Sequence, residues 1–286
     1  MTRAGAVDRE LSVDGARLES RGWFKLLARS GVSARAVIYV LVSYLTFDIA
    51  IRGNSPTQAG GRGALQEVAR QPGAPALLVV LAAGLGLYGL WRLVQAVTGR
   101  SNPARERSGP AGLFWMERTG WAAIAVIYLN LCVQAIKLAI GASSGAGTSE
   151  NPQPWAARIL AWPGGAELLG IVGAGLVIGG TTLAIWGFVH DYEKDLALES
   201  LATPWRGAIM ALGSLGDLAR GFVVALVGIY LVRSAALSDP GKAVGLDAAL
   251  RSLVRTSYGP VLVGLVAGGL GCFAVYSFAE ARFRRL

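Results

Sequence analysis

The stretch PALLVVLAAGLGLYGLWRLVQAVT, Pro75 to Thr98, decides the architecture of this chain. It holds one charged side chain, Arg92, near its end, and has the length a helix needs to cross a hydrocarbon core about 30 Å thick. Five more stretches of the same kind flank it, at Gly31–Ile51, Thr119–Ile140, Gly165–Val189, Leu218–Leu237 and Pro260–Ala281. Over 286 residues, 53% are apolar and 16% charged, where an ordinary soluble domain carries about 25% charged residues. Mean hydropathy is +0.48. These values exclude an ordinary soluble globular protein and predict an all-α, polytopic membrane bundle of six transmembrane helices.

Charge sets the expected orientation. The formal net charge is +9, and nearly every basic residue is Arg, with Lys only at Lys25, Lys137, Lys194 and Lys242. Basic residues flank the apolar spans instead of clustering on a polar module, which argues against nucleic acid and for anionic lipid headgroups as partners. Outside the spans they are twice as frequent on the side of the two chain ends as on the other. By the positive-inside bias both termini are expected in the cytoplasm of a bacterial cell, with the chain in the cytoplasmic (plasma) membrane. Residues 1–26 mix Arg, Asp and Glu with small residues and lack the apolar run of a signal peptide, so they read as a disordered cytoplasmic tail. Cys132 and Cys272 both fall inside spans, where they serve as small apolar side chains.

The spans resolve into three copies of a two-helix unit, at 27–99, 116–192 and 212–286, joined by cytoplasmic linkers at 100–115 and 193–211. Each copy opens on a glycine: GVSARAVIY from Gly31, GWAAIAVIY from Gly120 and GDLARGFVV from Gly216. Each then has a short amphipathic segment on the far side. These carry Ala64, Leu65, Val68 and Ala69 in copy one, Trp155, Ala156, Ile159 and Leu160 in copy two, and Ala249, Leu250, Leu253 and Val254 in copy three. That spacing puts one apolar face on a short helix, suited to the bilayer surface, to a crossing over the bundle, or to a partner membrane protein. A mid-membrane glycine marks each second helix, at Gly84, Gly175 and Gly269. Two helices return the chain to its starting side, so the copies run parallel around an axis along the membrane normal, as a pseudo-threefold bundle.

With these echoes in view, LARSGVSARAVIY (Leu27 to Tyr39) and ARQPGAPALLVVLAAGLGLYGLWRLVQA (Ala69 to Ala96) resemble the bacterial integral membrane proteins called domain of unknown function 1206. The resemblance runs from about Leu27 to the C-terminus, and implies three tandem two-helix units and a membrane location. It implies no activity. The second copy departs from the pattern, with Ile124 in the place of Arg35 and Arg220, and Thr182 in the place of Trp91 and Tyr276.

Chemistry is sparse. GLGLYG, Gly84 to Gly89, fits the dinucleotide fingerprint but lies inside a span, where small residues let helices approach closely; Gly175-x-x-x-Gly179 and Gly264-x-x-x-Gly268 read the same way. His190 is the sole histidine and stands beside Asp191, Glu193 and Asp195, which is not the ligand set of a structural metal site. No catalytic motif is present, so the chain is expected to be no enzyme and to need no cofactor or metal. Seventeen positions after each opening glycine stand Asp48, Lys137 and Arg233, about 25 Å along their helices and near the outer edge of the hydrocarbon. They form a candidate external charge cluster. Arg35 and Arg220 fall near the cytoplasmic ends of their spans, where reaching to headgroups explains them. Ser43, Tyr44, Asn130 and Gln134 make a candidate intramembrane polar set, either hydrogen-bonding helix to helix or lining a path. The expected function is a structural or accessory membrane component that interacts with lipid or a partner protein. The alternative is a small-solute or ion transporter or channel, with its path along the pseudo-threefold axis.

Overall fold

The computed structural model describes residues 22–53, 57–98, 111–142, 158–189, 203–239 and 246–283. The described residues are helical and connected by turns, without strands. Among the described residues six helices are long and apolar enough to cross a membrane: α1 (Gly22–Arg52), α3 (Ala74–Thr98), α4 (Ala111–Ala139), α5 (Gly165–Val189), α6 (Thr203–Leu237) and α8 (Gly259–Phe283). Two short helices, α2 (Gly61–Ala69) and α7 (Leu246–Val254), precede the second long helix of copies one and three. In a bilayer only helices or closed barrels satisfy every backbone group internally, so apolar runs of this length fold as helices.

Hydropathy marks the apolar section of a helix and not its ends. Thus α6 begins at Thr203, well before Leu218, with Pro204 in its first turn, where the missing N–H costs nothing. Likewise α1 begins at Gly22 and α4 at Ala111, inside stretches read from the sequence as tail and linker. In copies one and two a glycine with positive φ, Gly73 at 80° and Gly164 at 79°, turns the chain into the second helix.

The six long helices form an arc around one axis, in the order α4, α3, α1, α8, α6, α5. The second helix of each copy packs on the first helix of the next: α3 on α4, α5 on α6, and α8 back on α1. This repeated relation is the pseudo-threefold arrangement. Copies one and three also close their own hairpins, in the same way. A methyl group on Gly84 would lie 2.4 Å from Ala34 Cβ, and one on Gly269 would lie 2.4 Å from Ala219 Cβ. Gly31 backs onto Tyr88 as Gly216 backs onto Phe273. In copy two, Gly120, Gly175 and Gly179 have nothing within 4 Å, and α4 and α5 share no packed interface. The ring is open there.

Glycine does pack, but on a different face of α5 from the one expected. The α5–α6 contact runs along Gly173, Gly180 and Gly187 on one side and Gly221 and Gly228 on the other. A methyl on Gly180 would lie 2.5 Å from the Ala225 backbone nitrogen, so main chain meets main chain. Gly175, Gly179, Gly264 and Gly268 have no neighbour within 4 Å and do not serve as packing positions. The GLGLYG glycines do, with Gly86 against Cys132 and Gly89 against Leu129.

The short helices cross the bundle end. Leu65 of α2 and Leu250 of α7 are fully buried, and with Ile49 they fill the core at this end. Each short helix touches both long helices of its own copy and the first helix of the next, α2 reaching α4 and α7 reaching α1. Asp247 of α7 accepts a hydrogen bond from the Ala59 backbone N–H at 2.7 Å, tying copy three to copy one. Leu250 is therefore core, not partner surface; Trp155 and Ala156 of copy two lie outside the described residues.

Candidate functional site

The opposite end, where α1 begins and α8 ends, holds a cavity of about 170 Å³ lined by Arg35, Arg92, Leu183, Trp186, Asp217, Arg220, Phe273, Tyr276 and Glu280. Every long helix except α4 contributes to it. Six of the lining residues, Arg35, Arg92, Leu183, Trp186, Arg220 and Glu280, fall at repeat-related positions, whose remaining members Ile124, Ser277 and Gln95 do not line it. Four residues after each opening glycine stand Arg35, Ile124 and Arg220; eight after each mid-membrane glycine stand Arg92, Leu183 and Ser277; eleven after it stand Gln95, Trp186 and Glu280. The cavity thus sits where the three copies converge. Copies one and three supply charge, and copy two supplies Leu183 and Trp186, an apolar wall.

Arg35 is the centre of this arrangement. It lies about 9 Å inside the start of its span at 1.5 Å per residue, and only 4% of it is exposed. Headgroup reaching does not explain a side chain so enclosed. Its Nη1 donates to Tyr88 Oη at 2.7 Å, and its Nη2 donates to Ser277 Oγ at 3.1 Å and to Glu280 Oε2 at 2.5 Å. Glu280 comes from the last helix and Arg35 from the first, so the ion pair joins the two ends of the chain. Aromatic faces support the charge: the Arg35 guanidinium lies 5.1 Å from both the Tyr88 and Phe273 ring centres.

The other two arginines are built on the same rings. Arg220 pairs with Asp217 at 2.9 Å, one turn earlier on α6, and its guanidinium lies 4.1 Å from the Phe273 ring centre. Arg92 donates from Nε to Tyr88 Oη at 3.0 Å and from Nη1 to Gln95 Oε1 at 3.0 Å. Arg35 and Arg92 therefore share one phenol oxygen. Tyr128 of α4 meets Tyr88 edge-on, with ring centres 4.6 Å apart, and closes the cluster on that side.

Comparison with known proteins agrees with this repeat. The family model described as Domain of Unknown Function (DUF1206) matches residues 30–99, 119–190 and 215–284. The chain belongs to this family. It is also similar to "Uncharacterized protein YxxB" of Bacillus subtilis (strain 168), 26% identical over 268 residues that cover 94% of each chain. No solved structure matches. The first and third DUF1206 units contribute residues from both of their long helices to the cavity, and the second contributes only the apolar Leu183 and Trp186 of its second helix.

The other residues singled out in the sequence do not converge. Asp48 pairs with Arg52, one turn along its own helix, at 2.8 Å, while Lys137 and Arg233 are exposed. The structure does not bring these three charges into one cluster. Ser43 donates to the Ala267 carbonyl of α8 at 2.8 Å, and Tyr44 is exposed. Gln134 donates to Asn130 on its own helix and accepts from Arg62 Nε of α2 at 2.6 Å. Ser43 and Gln134 thus bond to neighbouring helices, whereas Asn130 bonds within its own helix. His190 and residues 191–195 lie outside the described residues; among those described, no group of three His, Cys, Asp or Glu gathers as metal ligands would.

Proposed function

We propose that this protein is a non-enzymatic structural or accessory component of the bacterial cytoplasmic membrane that engages lipid through the open hairpin of its second DUF1206 unit. The observation that carries this reading is the unfilled face between α4 and α5. The glycines that match the hairpin contacts of the other two copies meet nothing within 4 Å in this one. Gly120 and Gly179 correspond to the contacts Gly31–Tyr88 and Gly216–Phe273, so the opening lies level with the axial cavity. Its exposed surroundings, including Ile171, Val172 and Ile178 of α5, are apolar and match acyl chains. An axial solute path has less support, because Ile49, Leu65 and Leu250 fill the far end of the bundle.

In this reading both chain ends face the cytoplasm and the arginine end of the bundle lies in the leaflet rich in anionic lipid. Native mass spectrometry of protein extracted into mild detergent tests the lipid part: the wild type retains bound phospholipid, and Gly175→Leu/Gly179→Leu, which fills the opening, retains less than half as much. Wild-type protein that sheds all lipid as readily as the filled variant would refute it. Reporter fusions at both ends test the orientation, and activity of either reporter on the external side would contradict it.

A further inference from the structure

The axial cavity carries more positive than negative charge. Three guanidinium groups and two carboxylates line it. Glu280 is held by Arg35 and Asp217 by Arg220, whereas Arg92 makes no ion pair among the described residues and bonds only the neutral Tyr88 and Gln95. Arg35 Nε is buried and has no hydrogen-bond acceptor. A buried donor left without an acceptor is costly, and costlier when charged. In addition, Arg35 and Arg92 are within 3.0 Å of the same phenol oxygen, so two like charges stand side by side in a poorly polarisable interior. Among the described residues no carboxylate pairs with the third arginine.

We propose that this cavity is a binding site for a phosphate oxyanion, held by Arg35, Arg92 and Arg220. The chemistry favours phosphate over a carboxylate. Guanidinium forks match phosphate oxygens, and a tetrahedral anion accepts donors converging from several helices, whereas a planar carboxylate offers two oxygens in one plane. The volume suffices for an anion of this size, since a single water needs only about 10–15 Å³ of such space. Arginines from α1, α3 and α6 approach from three directions, and the Phe273 and Tyr88 rings hold their planes in place.

The phosphate has two possible sources, a phospholipid headgroup or the free ion. The apolar wall of Leu183 and Trp186, on the same helix as the opening beside Gly175 and Gly179, fits a lipid whose phosphate enters the cavity and whose chains stay in the bilayer. Assignment to a lipid rests on the reading given under Proposed function; the anion site itself does not.

Two titrations of the full-length chain test the site. In the first, delipidated protein in a neutral detergent is titrated with inorganic phosphate, and binding is followed by the thermal unfolding midpoint. In the second, protein in nanodiscs of phosphatidylcholine with graded phosphatidic acid is analysed for retained lipid. Arg92→Gln is the informative variant, because it strands no buried carboxylate; Arg29→Gln, exposed at the same end, is the control. Phosphatidic acid retention should fall at least tenfold in Arg92→Gln and stay within twofold in Arg29→Gln. Free phosphate that raises the midpoint of wild type but not of Arg92→Gln supports the site without a lipid, even if lipid retention fails. Lipid retained equally by wild type and Arg92→Gln, with no response to free phosphate, would overturn the site and leave the lipid reading standing. Loss of binding in Arg29→Gln equal to that in Arg92→Gln would reduce the effect to general surface charge and also overturn it.

Discussion

Arg35 shows what a single residue demands inside a membrane. A guanidinium at this depth is tolerated when its charge is paired, and here Glu280 pairs it while Tyr88 and Ser277 accept from the same two Nη atoms. Arg35→Gln leaves Glu280 charged and largely covered, and is expected to cost up to about 3–5 kcal/mol of stability, as removal of one member of a buried pair does. Glu280→Gln should cost a similar amount. The double variant should cost at least 1 kcal/mol less than the sum of the two singles, measured by unfolding in detergent; additive losses would deny the pair. The sequence does show arginine at one offset in copies one and three, yet it gives no sign that Arg35 is buried. Its counter-ion lies on the last helix, and that helix reaches the first only when the ring of copies returns to its start. A signal was nevertheless present: counted from the mid-membrane glycine, Glu280, Gln95 and Trp186 share one position and all face the same region.

For whole helices, the main question is which face packs. A soluble helix announces its buried side through a polar opposite face, but α5 and α8 are apolar all round, so hydropathy ranks no side above another. Glycine spacing is equally ambiguous, since Gly173, Gly180 and Gly187 compete with Gly175 and Gly179 on the same helix. The structure selects the first set. Gly180→Ala is therefore expected to destabilise by about 1–3 kcal/mol or more, because its methyl would meet the α6 backbone, whereas Gly175→Ala should stay within about 0.5 kcal/mol of wild type. Equal effects at both positions would contradict the packing of α5 on α6. The short helices are more legible, since α2 and α7 combine polar and apolar residues. The spacing of Leu65 and Leu250 marked their apolar faces, and Leu250→Ala should cost about 2–5 kcal/mol as a core truncation.

At the scale of the molecule, the asymmetry of three similar units matters most. Two hairpins are closed and the third is open, which brings an apolar opening to the level of a charged cavity. The difference traces to side chains: Gly179 stands where Tyr88 and Phe273 fill the other hairpins, and Ile124 stands where the others place arginine. Without a ring and a guanidinium, nothing draws α4 and α5 together, because lipid tails solvate apolar faces as well as another helix does. Spin labels on cysteine substitutions read this directly. A label at Ala123, exposed on α4, should relax readily with dissolved oxygen, and one at its buried counterpart Ala219 should be at least threefold less accessible. Similar accessibility at the two positions would mean that the second hairpin closes like the others.

By itself, the sequence determined that the chain is helical, that it crosses the membrane six times, and that it does so in three parallel units, because bilayer thickness and backbone hydrogen bonding leave an apolar run of this length no other form. It also marked the glycines and arginines by position in the repeat. Only the tertiary structure decided which glycines touch, which hairpin stays open, and that Arg35 meets Glu280. Those outcomes depend on the rotation of each helix about its own axis and on closure of the ring between chain ends, and neither is encoded in the hydropathy of any one segment.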